Sequence, residues 1–129
     1  MINTYLTKLD DLIFTAEEIV NIEILRRTIW DTELEKIGIY RYKIYFFDGS
    51  FVELTERLVE QAGSFKRTKY RYHWQDKEGR LLKRWDNANH HPEIDTFPHH
   101  LHDGSDGNVA PHREVSGFEV LSIIIEVIG

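Results

Sequence analysis

Gly38-Ile39-Tyr40-Arg41-Tyr42-Lys43-Ile44-Tyr45-Phe46-Phe47-Asp48-Gly49-Ser50-Phe51-Val52-Glu53-Leu54 is the stretch whose reading decides the fold. Tyr40, Tyr42, Ile44 and Phe46 alternate with Arg41 and Lys43, the period of a strand with one buried face. Asp48-Gly49 marks a turn, and the loop length sets the register of everything after it. A two-residue loop would put Ile44 opposite Glu53, an apolar side chain against a charge. A three-residue loop, Phe47-Asp48-Gly49, places Gly49 at the left-handed bulge position. It pairs Ile44 with Val52 and Tyr42 with Leu54 on the core face, and Lys43 with Glu53 outside. The sequence therefore predicts an antiparallel hairpin in that register.

Before the hairpin, Ile2, Tyr5, Leu6, Leu9, Leu12 and Ile13 recur every three or four residues, which predicts an amphipathic helix ending near Phe14. Ile19 to Trp30, with Val20, Ile22 and Ile24 alternating with Asn21 and Glu23, predicts a strand. After the hairpin, Tyr70, Tyr72 and Trp74 alternate with Arg71 and His73 up to the turn Asp76-Lys77-Glu78-Gly79. A four-residue loop there sets Trp74 against Leu81 and Tyr70 against Trp85. It collects Arg71, His73, Arg84 and Asp86 on one polar face, with Leu82 falling on that side too. The tyrosines and Trp74 read as core, and Asp76 as a turn residue. Beyond Asn87 periodicity stops, and a loop of nearly thirty residues holds all three prolines. Ser116 and Glu119 form a capping box that announces a last helix carrying Phe118, Leu121, Ile125 and Ile128. The reading is a single α+β domain over residues 1–129. It has one antiparallel sheet of about five strands, an N-terminal helix, a long histidine-rich loop and a C-terminal helix. That last helix is apolar nearly all round, which predicts a surface for a homodimer or another partner.

With 129 residues the chain can bury about two-thirds of the surface its unfolded form exposes. There is no run of eighteen apolar residues, and the opening Met1-Ile2-Asn3-Thr4-Tyr5 lacks a signal-peptide pattern, so the expectation is a cytoplasmic protein with no membrane partner. The absence of cysteine excludes disulfides, thiolate metal sites and a thiol nucleophile. A net charge of -6 argues against a broad grip on nucleic acid, yet the stretch from Lys66 to Arg84 holds eight cations against Asp76 and Glu78. Arg71, Lys83 and Arg84 are its candidate nucleic-acid contacts.

Five of the seven histidines lie between His90 and His102. Imidazole titrates near neutrality, so one ring can serve as base and another as acid, as cleavage of RNA through its 2′-hydroxyl requires. A guanidinium from Arg84 or Arg71 would stabilise charge on the phosphoryl oxygens. The catalytic candidates are His73, Asp86, His90, His91, Glu93, His99 and His100, with Asp86 placed to orient an imidazole; His112 receives no role. His91, Glu93, His99 and His102 would alternatively hold a divalent metal.

Tyr70-Arg71-Tyr72-His73-Trp74-Gln75-Asp76, Arg84-Trp85-Asp86-Asn87-Ala88, His90-His91-Pro92-Glu93 and Phe97-Pro98-His99-His100-Leu101-His102 together resemble the TumE family of toxin-antitoxin proteins. The resemblance is specific from Tyr70 to Glu114, with Asn89 where a proline is expected. It implies a small toxin encoded beside a helix-turn-helix antitoxin that relieves growth inhibition by binding it. Three readings follow. The preferred one is a metal-independent endoribonuclease acting on RNA, with His91 and His99 or His100 as acid and base and no cofactor. The second is a metal-dependent hydrolase or nuclease. The third is a non-catalytic module that binds nucleic acid or a protein partner.

Overall fold

The computed structural model describes residues 1–89, 96–104 and 108–129. The order is α1 (Ile2–Thr15), β1 (Ile19–Asp31), β2 (Lys36–Phe46), β3 (Phe51–Gln61), β4 (Ser64–Gln75), β5 (Leu81–Asp86), β6 (His100–Asp103), β7 (Val109–Pro111) and α2 (Gly117–Ile128). Among the described residues seven strands form one antiparallel sheet in sequence order. The α+β class and the single sheet agree with expectation, whereas the count of five strands does not. Two strands lie inside the segment read as a long loop. They are only four and three residues long, too short to show an alternating pattern.

The first hairpin has the predicted register. Ile44 pairs with Val52, Tyr42 with Leu54 and Lys43 with Glu53, and Phe46 and Ser50 close the turn through a 2.9 Å backbone bond. Gly49 has φ +87°, and a Cβ there would lie 2.9 Å from Lys77 Cβ in the neighbouring turn. Gly49→Ala is therefore expected to cost about 1–2 kcal/mol, from left-handed strain plus the clash. The check is a lower midpoint in urea at unchanged slope.

The second hairpin differs. Tyr72 pairs with Trp85 and Trp74 with Lys83, two residues from the predicted register, while Gln75 pairs with Leu81. Leu82 is the extra residue of a bulge at that step, which accounts for its clash with the polar side in the simpler register. Alternation is preserved beyond the bulge, so Arg71, His73, Arg84 and Asp86 do share one face.

Both helices pack on the other face. α1 contributes Ile2, Leu6, Leu9 and Ile13, and α2 contributes Val120, Leu121 and Ile124, to a core with Tyr40, Tyr42, Ile44, Leu54, Leu58, Tyr72 and Trp85. Ser116 caps α2 by accepting from the Glu119 amide, and the Glu119 carboxylate accepts in return from the Ser116 amide. Helix formation across Ile123-Ile124-Ile125 follows from burial: the Ile124 side of the helix is inside while Ile123 and Val127 are exposed. No helix among the described residues is long and apolar enough to cross a membrane.

Candidate active site on the open sheet face

Cross-strand pairing arranges the polar face in rows. One row runs Arg26, Arg41, Thr55, Arg71, Asp86, His100, and the next runs Glu23, Lys43, Glu53, His73, Arg84, His102. In the second row Arg84 stands between two histidines, each one strand away at roughly 4.8 Å. Asp86 and His100 adjoin them in the first row.

The side chains converge at this end of the sheet. Arg84 Nη2 donates to His102 Nε2 at 3.2 Å, and Arg84 Nε lies 3.3 Å from Asp86 Oδ2. His100 Nε2 lies 2.7 Å from Asp86 Oδ1, and His102 Nε2 lies 3.5 Å from Asp86 Oδ2. Asp86 is held by the Ala88 amide, which donates to Oδ1 at 3.1 Å. Exposure is graded: the side chains of His100 and Asp86 are buried, that of His102 is 11% exposed and that of Arg84 is 25% exposed. Asp86 and His100 thus form a base beneath Arg84 and His102, which reach solvent. His73, on the far side of Arg84, is half-buried and donates from Nε2 to Gln75 Oε1 at 3.0 Å. Burial pushes its imidazole below the ordinary value, the Arg71 and Arg84 cations add to that, and the Gln75 bond opposes it. His73 is therefore neutral at neutral pH.

His100 Nδ1 donates to the Pro98 carbonyl at 2.9 Å, so in a neutral ring Nε2 offers a lone pair toward Asp86. Together with His102 Nε2 this makes three ligand atoms within 4.8 Å of one another. A backbone carbonyl fixing the distal ring nitrogen is the usual support of a metal-binding histidine. The group is compatible with a divalent metal, though the Arg84 guanidinium beside it opposes a second cation.

Other candidates lie elsewhere. His99 is on the helix side of the sheet, where Tyr70 stacks on it at 5.7 Å between centroids and its Nδ1 shares a 2.8 Å bond with Tyr70 Oη. His99 and His100 therefore face opposite ways and do not form one acid–base pair. Lys83 pairs with Trp74 and Asp103 and alternates away from Arg71 and Arg84. His90, His91 and Glu93 fall outside the described residues. Sequence reasoning placed His102 only in the metal set; its signal is the His-x-His spacing of a strand, which puts His100 and His102 on one face.

A second polar centre went unread. Glu56 is fully buried at a core-face position of the series Val52, Leu54, Glu56, Leu58, and a carboxylate at an apolar register position was the available signal. It accepts from the hydroxyls of Tyr5 at 2.5 Å and Tyr72 at 2.6 Å, from Tyr40 and the Arg67 guanidinium, and from the Gly117 amide at 3.2 Å. Arg67 also reaches Glu114 at 3.1 Å. Every donor around Glu56 is spent on holding β2, β3, β4, α1 and the start of α2 together, so this centre is structural.

A small α+β protein with a helix-covered sheet face and a histidine, aspartate and arginine cluster on the other is the class that fold and site define. The chain belongs to the toxin TumE family, whose model matches residues 10–128. It is thus a toxin of a toxin-antitoxin system, with an antitoxin as partner. No curated protein and no solved structure matches it.

Proposed function

We propose that this toxin cleaves RNA by intramolecular transesterification at the row His73, Arg84, His102. The observation that carries the reading is a fixed cation flanked on adjacent strands by two imidazoles. Arg84 binds the scissile phosphate and stabilises charge on its nonbridging oxygens. Neutral His73 keeps a lone pair on its buried Nδ1 while Nε2 donates to Gln75, and with the ring turned to bring Nδ1 outward it takes the proton of the ribose 2′-hydroxyl as that oxygen attacks phosphorus. Once phosphate has drawn Arg84 away from its Nε2, His102 takes up a proton from solvent, is held as an imidazolium by Asp86, and delivers that proton to the departing 5′-oxygen. The products are a 2′,3′-cyclic phosphate and a free 5′-hydroxyl. Asp86 and His100 are positioning residues. An antitoxin of the helix-turn-helix kind would neutralise the toxin by binding it.

A second reading has an observation of its own. The lone pairs of His100 and His102 meet at Asp86, so a divalent metal there would activate water for hydrolysis. Purified protein incubated with RNA separates the two. The first reading predicts fragments with cyclic phosphate ends whether or not a chelator is present. Loss of cleavage with the chelator, and ends lacking the cyclic phosphate, would establish the metal reading instead. The pH profile adds a check: the limb set by His73 should lie below the ordinary imidazole value of about 6.5, so rate persists into mildly acidic solution.

A further inference from the structure

We infer that the open sheet face is a binding track for single-stranded RNA, with Arg26, Arg41, Arg57, Lys69 and Arg71 as its phosphate contacts. The inference rests on the RNA reading above but not on its cleavage chemistry. Two like-charged pairs are decisive: Arg26 stands directly opposite Arg41, and Arg57 directly opposite Lys69. Such pairs weaken a sheet, and an anion laid between them reverses the sign of that contribution. Arg26, Lys69 and Arg71 have no carboxylate in ion-pairing range among the described residues. Arg41 is held by Glu53 at 2.5 Å, and Arg57 donates to Thr68 at 3.1 Å. These five cations lie together on one face of a chain whose net charge is -6.

Shape agrees with charge. One depression of about 210 Å³ has Arg41, Glu53, Thr55, Lys69 and Arg71 in its wall, the Glu53 carboxylate being paired with Arg41, and another of about 260 Å³ has Arg26, Ile39, Thr55, Arg57 and Lys69. Thr55 and Lys69 belong to both, so the two join. The row Arg26, Arg41, Thr55, Arg71 then steps directly to Asp86, a span of roughly 19 Å at the usual strand spacing. It delivers a bound backbone to Arg84 and its histidines.

Single-stranded RNA fits better than an acidic peptide for two reasons. Planar guanidinium groups match phosphate oxygens in pairs. The same face also carries Tyr45 and Phe51, half-buried with centroids 5.8 Å apart, and Lys43 lies 4.3 Å from the Phe51 ring. Aromatic rings beside cations offer unpaired bases a stacking surface, for which a peptide carboxylate has no use.

The test uses a 2′-O-methyl RNA of about twelve nucleotides, which lacks the attacking hydroxyl and so reports binding apart from cleavage. Removing a phosphate contact from a single-strand complex lowers the salt slope by about 0.7, or affinity about five-fold at roughly 0.1 M salt. Arg26→Gln, Lys69→Gln and Arg71→Gln together should therefore weaken binding about 100-fold and flatten the slope by about 2, while Arg26→Lys with Arg71→Lys keeps most of the affinity. The substituted side chains are exposed, and circular dichroism checks that the variants fold; each single substitution should give its own five-fold loss. Unchanged affinity in the triple variant, or equally tight binding of a duplex of the same length or of polyglutamate, overturns the track. Tight, salt-dependent binding without cleavage of ordinary RNA would leave the track standing and overturn the transesterification.

Discussion

Glu56→Ala is expected to lower stability by about 3–5 kcal/mol, enough to unfold much of a domain of ordinary stability. The substitution leaves the Arg67 guanidinium, whose side chain is only 10% exposed, without its nearest counter-charge. It also leaves the hydroxyls of Tyr5, Tyr40 and Tyr72 without the acceptor they share, and a small cavity where the carboxylate stood. Glu56→Gln keeps the volume but brings two donors to a site that is already all donors, so it should fall between wild type and alanine. Urea titration of the three proteins reads the result; a loss under about 1 kcal/mol for alanine would show that the centre is not structural. The same centre sets the alkaline limit. Burial raises all three tyrosine hydroxyls, and the Glu56 charge raises them further. The folded state therefore holds these protons more tightly than the unfolded chain does. Stability from this source is complete below about pH 10, the ordinary tyrosine value, and is lost as pH rises beyond it toward the raised folded values.

The second large effect is on activity. His102→Ala and His73→Ala should each reduce RNA cleavage by about 10²–10⁴-fold, because each removes one proton-transfer partner from the phosphate held at Arg84. Asp86→Asn keeps the shape of the side chain and its bond from Ala88, but removes the charge that His100 and His102 share. It should depress the rate through His102 and shift the basic limb of the pH profile, a change that a merely structural role would not produce. His99→Ala, on the other side of the sheet, should leave the pH profile unchanged and act on stability through its lost contact with Tyr70. Equal pH-profile changes from His99 and His102 substitutions would contradict the assignment.

The parts of the fold set by alternation were legible from sequence. Ile44 opposite Val52 follows from keeping charge off the core face, and the Ser116–Glu119 capping box follows from local chemistry alone. The polar grouping of Arg71, His73, Arg84 and Asp86 was legible for the same reason, although the bulge at Leu82 moved their partners by two residues. What stayed hidden depends on contacts between distant segments. β6 announces itself only once His100 pairs with Asp86 across the sheet. The separation of His99 from His100 needs the strand direction that this pairing fixes. Composition placed the histidines together without saying which face each occupies, so it could not separate His99 from His100 or place His102 in the row of His73 and Arg84.

The most direct measurement is the integrity of total RNA sampled as growth slows after induced expression of the wild type and of the His73→Ala, His102→Ala double variant. The predicted result is RNA fragmentation before growth stops in the wild type, and intact RNA with normal growth in the variant at equal protein level. Growth arrest with intact RNA in the wild type, or arrest by the variant, would contradict the placement of the toxic activity at this site.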